Sequence, residues 1–506
     1  MNERPGARPP RPGRVPQPRR GVPQPRVPDP RVPEPGAPAP RVPAAAIRRT
    51  PDRTARREPR EQRFPWTALA VIALLLTIAM YSWGWLISTS AVGVALIEIP
   101  LLLLLTTPLF MSASRKETRY DLGGLLAFGL VVRFAATYYR FTHAADGATY
   151  HDVGAKLAES YRHLDFSVDT GFPIPGTGGM RMIAGITEVF TNGNSFATFL
   201  VFAWLGFFAC YLFYRAFVTA LPEADHKRYA LLIMLWPSLV FWPSSLGKDC
   251  WLLFTLAIAS LGAAKVYHRK PGGYTLLAIG LVLGAVVRPH VMLMLAIAFG
   301  VGLLVGRRAD RPGAITPSAV GKVAGLVILL ALGGYLATRT ADLLDTGDIN
   351  SALSENVTRT SEGGSSFTPA NPQNPIGYVQ ATVTVLVRPF PFEARGLESL
   401  VASAEAMGML VLAGFSWRRL RSIPRRLRSE PYITLALSYM FMFIFAFGTI
   451  ANFGILARQR SQLIPYLFVF LALNEIAVRV PRSSRPAPTA PTSDRSPVRG
   501  RPRSRP

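Results

Sequence analysis

Cysteine is nearly absent from the 506 residues: there are two, Cys210 and Cys250, each set inside an apolar run. A disulfide scaffold or a thiolate metal site needs closely spaced sets, so neither is expected, and each cysteine reads as a small buried hydrophobe. Histidine is scarce too, at six, and the separations of His143, His151 and His290 match no ligand spacing. These three are read as structural, and no metal site is assigned. Charged residues make up only 17% of the chain against 49% hydrophobic ones, where a soluble domain carries about 25% charge. An ordinary soluble domain is therefore excluded. No cleavable leader is expected either. The first apolar run starts near Trp66, behind a long polar stretch and without a small-residue cleavage pattern, so it reads as an uncleaved first span.

The net charge sits mostly at the ends. Residues 1–63 hold 16 arginines against 6 acids and residues 479–506 hold 8 against 1, so seventeen of the 26 excess positive charges lie in the tails. Between Arg14 and Pro43 an imperfect unit recurs, as in Arg26-Val27-Pro28-Asp29-Pro30 and Arg31-Val32-Pro33-Glu34-Pro35. Proline at alternate positions removes backbone donors and favours polyproline II, which cannot build a packed core. The expected organisation is a disordered Pro/Arg-rich tail over 1–63, a membrane domain over 64–480 and a disordered basic tail over 481–506. The tails either solubilise the chain or lie on anionic lipid or a cytoplasmic partner. No nucleic-acid partner is expected.

A helix needs about 20 apolar residues to cross the hydrocarbon. Runs of this kind lie near 66–88, 91–111, 122–142, 195–217, 229–246, 249–266, 274–288, 291–306, 320–338, 399–416, 431–450 and 462–478. They predict an all-α polytopic bundle of about twelve spans, the seventh and eighth being short and sharing Pro289. Alternate connections carry Arg115, Lys116 and Arg119; Lys227 and Arg228; Arg269 and Lys270; Arg307, Arg308, Arg311 and Lys322; and six arginines from Arg418 to Arg428. That basic set marks the cytoplasmic face. Both termini then lie in the cytoplasm, and the long connections 143–194 and 339–398 lie outside. Two charges fall deeper, Glu98 and Arg133, and are read as a pair across neighbouring spans.

The outer side carries the chemistry. Ala148, Val153, Leu157 and Tyr161 recur at helical spacing and predict an amphipathic helix to Arg162, with Asp146 and Asp152 near its start. The two aspartates either cap that helix or act on a substrate. A turn over Pro173-Ile174-Pro175-Gly176 precedes a second amphipathic helix over Met180 to Phe190. The outer turns hold basic residues where the positive-inside tendency disfavours them: Lys248 beside Asp249, Arg288 with His290, and Arg458 with Arg460 after Asn452. Arg388 and Arg395 flank Pro389-Phe390-Pro391-Phe392-Glu393 on the same side. Lys248 and Asp249 either form a local ion pair opening the sixth span or belong to the site chemistry. Together the cations form a candidate anion site, arginine being suited to bidentate phosphate contacts.

An acidic loop from Asp146 to Ala158 followed by amphipathic helices, Trp236-Pro237-Ser238 running into Leu246-Gly247-Lys248-Asp249, and Asn452 to Pro465 together resemble the GT-C class of membrane glycosyltransferases, the superfamily related to protein mannosyltransferases. The likeness spans loosely from Asp121 to Val480. It implies transfer of a sugar from a polyprenyl-phosphate-linked donor to a cell-envelope acceptor at the outer face of a bacterial cell membrane. It also implies a catalytic carboxylate, Asp146 first and Asp152 second. Lys248, Arg288, Arg388, Arg458 and Arg460 would bind the lipid-carrier phosphate, with His151, Asp249, His290 and Asn452 in support. A divalent cation near Asp146, His151 and Asp152 is an open possibility; no other cofactor is expected. Two other readings stay open: a polymerase or ligase of cell-surface polysaccharide, and a transporter or lipid flippase.

Overall fold

The computed structural model describes residues 64–306 except 88 and 89, residues 366–394 and 396–475, and the isolated positions 334, 357, 358, 360 and 361. The expected tails, the run 320–338, the cations Arg307, Arg308, Arg311, Lys322 and Arg395, and much of the connection 339–398 lie outside the described residues. Among the described residues every element is helical, with one isolated β-bridge between Ser366 and Asn452.

Among the described residues six helices are long and apolar enough to cross a membrane, or seven if one bent pair counts as a single span. They include α1 (Trp66–Ile87), then, after the short α2 (Ser90–Gly93), α3 (Ala95–Lys116) and α4 (Leu122–His143). Next come α5 (Ala145–Arg162), α6 (Thr177–Thr191) and the crossing helix α7 (Ser195–Ala220). The expected span at 229–246 is instead broken into α8 (His226–Leu235) and α9 (Pro237–Phe241). Pro237 has no N–H and forces Trp236 into an extended conformation, so the helix cannot run through. The crossing helix α10 (Lys248–Tyr267) is followed by two shorter ones, α11 (Gly273–Ala285) and α12 (Pro289–Val305), parted at Arg288-Pro289.

Past the undescribed stretch lie α13 (Pro375–Val387), a 13-residue apolar helix inside the expected outer loop, and α14 (Leu397–Phe415). Two single turns, α15 (Trp417–Leu420) and α16 (Ile423–Arg426), lead to α17 (Pro431–Phe447) through a bend of 107°. In the connection before the expected last span lies α18 (Phe453–Arg460), and within that span, across a turn, the eight-residue α19 (Ile464–Leu471), residues 476–478 lying outside the described residues.

Contacts between these helices fix their directions. Thr67 donates to Asp121 while Tyr81 donates to the Phe134 carbonyl, so α1 and α4 run the same way. Trp251 donates to the Leu283 carbonyl at 2.9 Å, and Gly262 and Gly273 lie against Leu277 and Val266, so α10 and α11 form an antiparallel hairpin. Gly302 meets Pro431 and His290 meets Phe447, which sets α12 antiparallel to α17. The end of α4, the start of α10, the start of α12 and the end of α17 thereby converge on one end of the bundle. Basic connections gather at the other end, where Arg419 binds Asp225 at 3.2 Å and Arg228 donates to Ser416.

Glu98 and Arg133 do not pair. Arg133 is fully buried and donates to the carbonyls of Gly129, Met234 and Leu239 and to the Cys210 sulfur, at 2.7 to 3.3 Å. The break at Pro237 leaves carbonyls of α8 and α9 without helical donors, and the guanidinium supplies them. One buried oxygen of Glu98 is left with no hydrogen-bond partner.

Candidate functional site

At the end where α4, α10, α12 and α17 meet, three distant segments close on one guanidinium. Asp146 lies in the first turn of α5, which follows α4 with a single residue between them. Asp249 lies in the first turn of α10, a position the helix dipole favours for a carboxylate, and is only 2% exposed. Arg458 sits on α18, whose first turn Asn452 caps by accepting from the N–H groups of Gly454 and Ile455. Arg458 Nη1 donates to Asp146 Oδ2 at 2.7 Å, and its Nε donates to Asp249 Oδ2. The Asp249 carboxylate, and then that of Asp146, push the Arg458 guanidinium further up against the opposing effect of burial. A planar fork serves two carboxylates in fixed directions, whereas an ammonium is a compact point charge on a flexible stem.

A cavity of about 440 Å³ opens beside this triad. Its walls carry Asp146 and four cations: Lys248, Arg288, Arg181 and Arg458. Lys248 Nζ donates to Thr177 Oγ1 at 2.8 Å, Arg288 donates to Gln459, and Arg181 donates to the Thr170 carbonyl at 2.8 Å while lying over the Phe172 ring. Among the described residues Arg458 is the one of the four with carboxylate partners, and the bonds given for the other three go to neutral oxygens. A site with surplus positive charge, half-screened from water, is suited to an anion. A second cavity, about 330 Å³, lies across the Asp146–Arg458 bridge and is lined by Arg140, His143, Trp242, Glu398 and Asn452 as well. Arg140 is buried there over the rings of Phe241 and Trp242.

The expected site residues thus divide. Asp146, Lys248, Arg288 and Arg458 come together, with Asp249 and Asn452 in contact with the group. Lys248 and Asp249, adjacent in sequence, serve different partners. Asp152 is exposed on α5 and lines neither cavity; six residues from Asp146, it projects from another side of the helix. His151 binds Glu188 on α6 at 2.7 Å, and that bond, working against burial, raises its pKa. His290 is packed at the start of α12, its ring 6.3 Å from that of Phe447. Arg388 and Arg460 form a separate cluster. Arg388 is paired with Glu393 at 2.5 Å and lies against the rings of Phe367 and Phe453, and the buried Arg460 donates to its carbonyl.

Arg140, Arg181 and Glu398 were not singled out in the sequence. Arg181 had a signal, being a lone cation in an amphipathic run, and Arg140 lies one helical turn before Ala144. Among the described residues no group of three or more His, Cys, Asp and Glu side chains could hold a metal ion. Asp146 is engaged by Arg458 and His151 by Glu188, so the divalent cation considered for them finds no donor set. The chain matches no known family model, no curated protein and no solved structure.

Proposed function

We propose that the chain is a membrane glycosyltransferase that moves a sugar from a polyprenyl-phosphate-linked donor to a hydroxyl of a cell-envelope acceptor, at the outer face of the cell membrane. One observation carries this reading: Asp146 shares a cavity with Lys248, Arg288 and Arg458, although the chain supplies them from four separate segments. The acceptor hydroxyl gives its proton to Asp146 as its oxygen attacks the anomeric carbon. The bond from that carbon to the phosphate oxygen breaks, and the lipid phosphate leaves with the electron pair. Lys248 and Arg288, not neutralised by carboxylates, take up the charge gathering on it. A lipid-borne donor is further supported by an apolar cavity of about 400 Å³ between α4, α9 and α14, which shares Trp242 and Glu398 with the second polar cavity. The full topology belongs to the same proposal: about twelve spans, with the basic connections and both termini in the cytoplasm.

The test is a deletion strain profiled for lipid-linked sugars and complemented with the wild type or with Asp146→Asn. The deletion should accumulate a lipid-linked sugar that the wild type clears. Asp146→Asn should insert normally yet clear it about 10²- to 10⁴-fold more slowly, the usual loss for a missing general base. Clearance at the wild-type rate removes Asp146 from the role.

A further inference from the structure

Between α5 and α6 the chain follows an irregular path in which every second residue from 164 is apolar: Leu164, Phe166 and Val168, then, past Thr170, Phe172 and Ile174. All five are exposed, Leu164 to 80% and Phe166 to 59%. The polar residues Asp165, Ser167 and Asp169 between them are exposed as well but bond back to the local chain. Asp165 accepts from the backbone and hydroxyl of Ser167, and Asp169 accepts from the Gly171 N–H. Thr170 is buried and bonded to the Phe172 carbonyl and to Arg181. Alternation of this kind normally builds a strand with one dry face, yet no strand is formed here and the apolar side chains are uncovered. Phe190 on α6 is exposed to 84% and belongs to the same surface, because Arg162 donates to Asn192 at 3.1 Å and ties together the ends of α5 and α6.

We propose that this apolar rim, Leu164 to Ile174 with Phe190, is seated in the surface of the lipid bilayer. Its place in the chain argues for lipid. Phe190 lies five residues before Ser195, where a helix long enough to cross the membrane begins, and α5 leaves α4, another such helix, at His143. The rim is therefore held at the level where the chain enters and leaves the hydrocarbon. Arg162, beside Leu164, adds a cation at headgroup height, the composition of an interfacial segment. A protein partner is less well served, since the acids are spent on local turns and the apolar side chains fan out without forming a groove. Phe172 is shared between the rim and the cationic cavity, so that cavity opens beside the membrane surface. The rim stands independently of the proposed chemistry.

Cys210 and Cys250 are fully buried, so an introduced surface cysteine can be labelled selectively in the full chain. Leu164→Cys, Phe166→Cys and Phe190→Cys, each carrying a small uncharged fluorophore, are placed in nanodiscs of phosphatidylcholine and phosphatidylglycerol. The exposed Lys156→Cys serves as the water-facing reference. Side chains seated about 5 to 10 Å below the headgroups should lose at least about half their emission to lipids spin-labelled high on the acyl chain, and little to aqueous iodide. Lys156→Cys should show the reverse. Rim labels quenched by iodide like the reference, or shielded from both quenchers as under a protein, overturn the proposal. With the label at Phe190, the added pair Leu164→Asp and Phe166→Asp should raise iodide quenching and cut lipid quenching; no change in either also overturns it.

Discussion

Two arginine clusters adjoin α18, one centred on Arg458 and one on Arg388 and Arg460, and they are finished in opposite ways. Around Arg388 the guanidinium is enclosed by one carboxylate and two aromatic rings, and its carbonyl is bonded by Arg460, whose buried Nε has no hydrogen-bond partner among the described residues. Glu393 is held below the usual carboxylate range, burial acting against this and the bonds from Arg388 and Phe390 prevailing. Around Arg458 two carboxylates are bound, yet three further cations line the adjoining cavity with only neutral oxygens to hold them. The same residue type serves first to lock a loop and then to organise a site open to an anion. What separates them is the balance of charge facing empty space.

The strongest way to break this comparison is Arg458→Met. It leaves Asp249 buried beside an apolar side chain, and removing one partner of a buried pair costs about 3–5 kcal/mol. Thermal unfolding of the detergent-purified protein should show that loss, and Asp249→Asn added to it should restore part. If Arg458→Met melts like the wild type, the triad is not holding α5, α10 and α18 together.

A smaller effect sharpens the other half. Arg388→Met removes a charge-assisted bond to a largely buried Glu393, worth about 1.5–3 kcal/mol. The melting temperature should fall while binding of a phosphate-bearing lipid, measured on the folded protein at low temperature, stays as it was. Loss of that binding at unchanged stability would move Arg388 into the anion site and erase the distinction between the clusters.

The sequence made some of this legible and hid the rest for identifiable reasons. Helices α5 and α6 follow from their apolar periodicity, and six of the twelve apolar runs appear as helices of crossing length. The break at Trp236-Pro237 was signalled by the proline inside an apolar run, but apolarity alone cannot say whether a run is one helix or two. Helix α13 is announced by Asn374-Pro375, where Asn374 caps the first turn and proline takes the first helical position. At 13 residues it falls below the length used to find spans. The meeting of Asp146, Lys248, Arg288 and Arg458 could be guessed from their shared side of the membrane, because helix reversals return those ends to one place. Which cation met which carboxylate could not: Glu393 silences Arg388 through a local turn, whereas Asp249 reaches past Lys248 to a partner 209 residues away.

The smallest expected effect concerns the wall that carries Asp146. His151 on α5 binds the buried Glu188 on α6, and this bond raises the histidine's folded pKa above its ordinary value of 6.5 despite the counter-effect of burial. A raised folded value means that the protonated pair contributes its full stability below about pH 6.5 and loses it as pH climbs through the folded value. Stability of the wild type should therefore decline by about 1 kcal/mol across that window, less than a whole charge-assisted bond because the neutral imidazole can still donate to Glu188. His151→Gln can still donate to Glu188 but cannot titrate, so its unfolding midpoint should lack this decline. An identical pH profile for both proteins would show that the α5–α6 contact does not depend on the histidine's charge. The placement of Asp146 would then rest on the Arg458 triad and on the close packing of Gly154 and Gly185 against the facing helices.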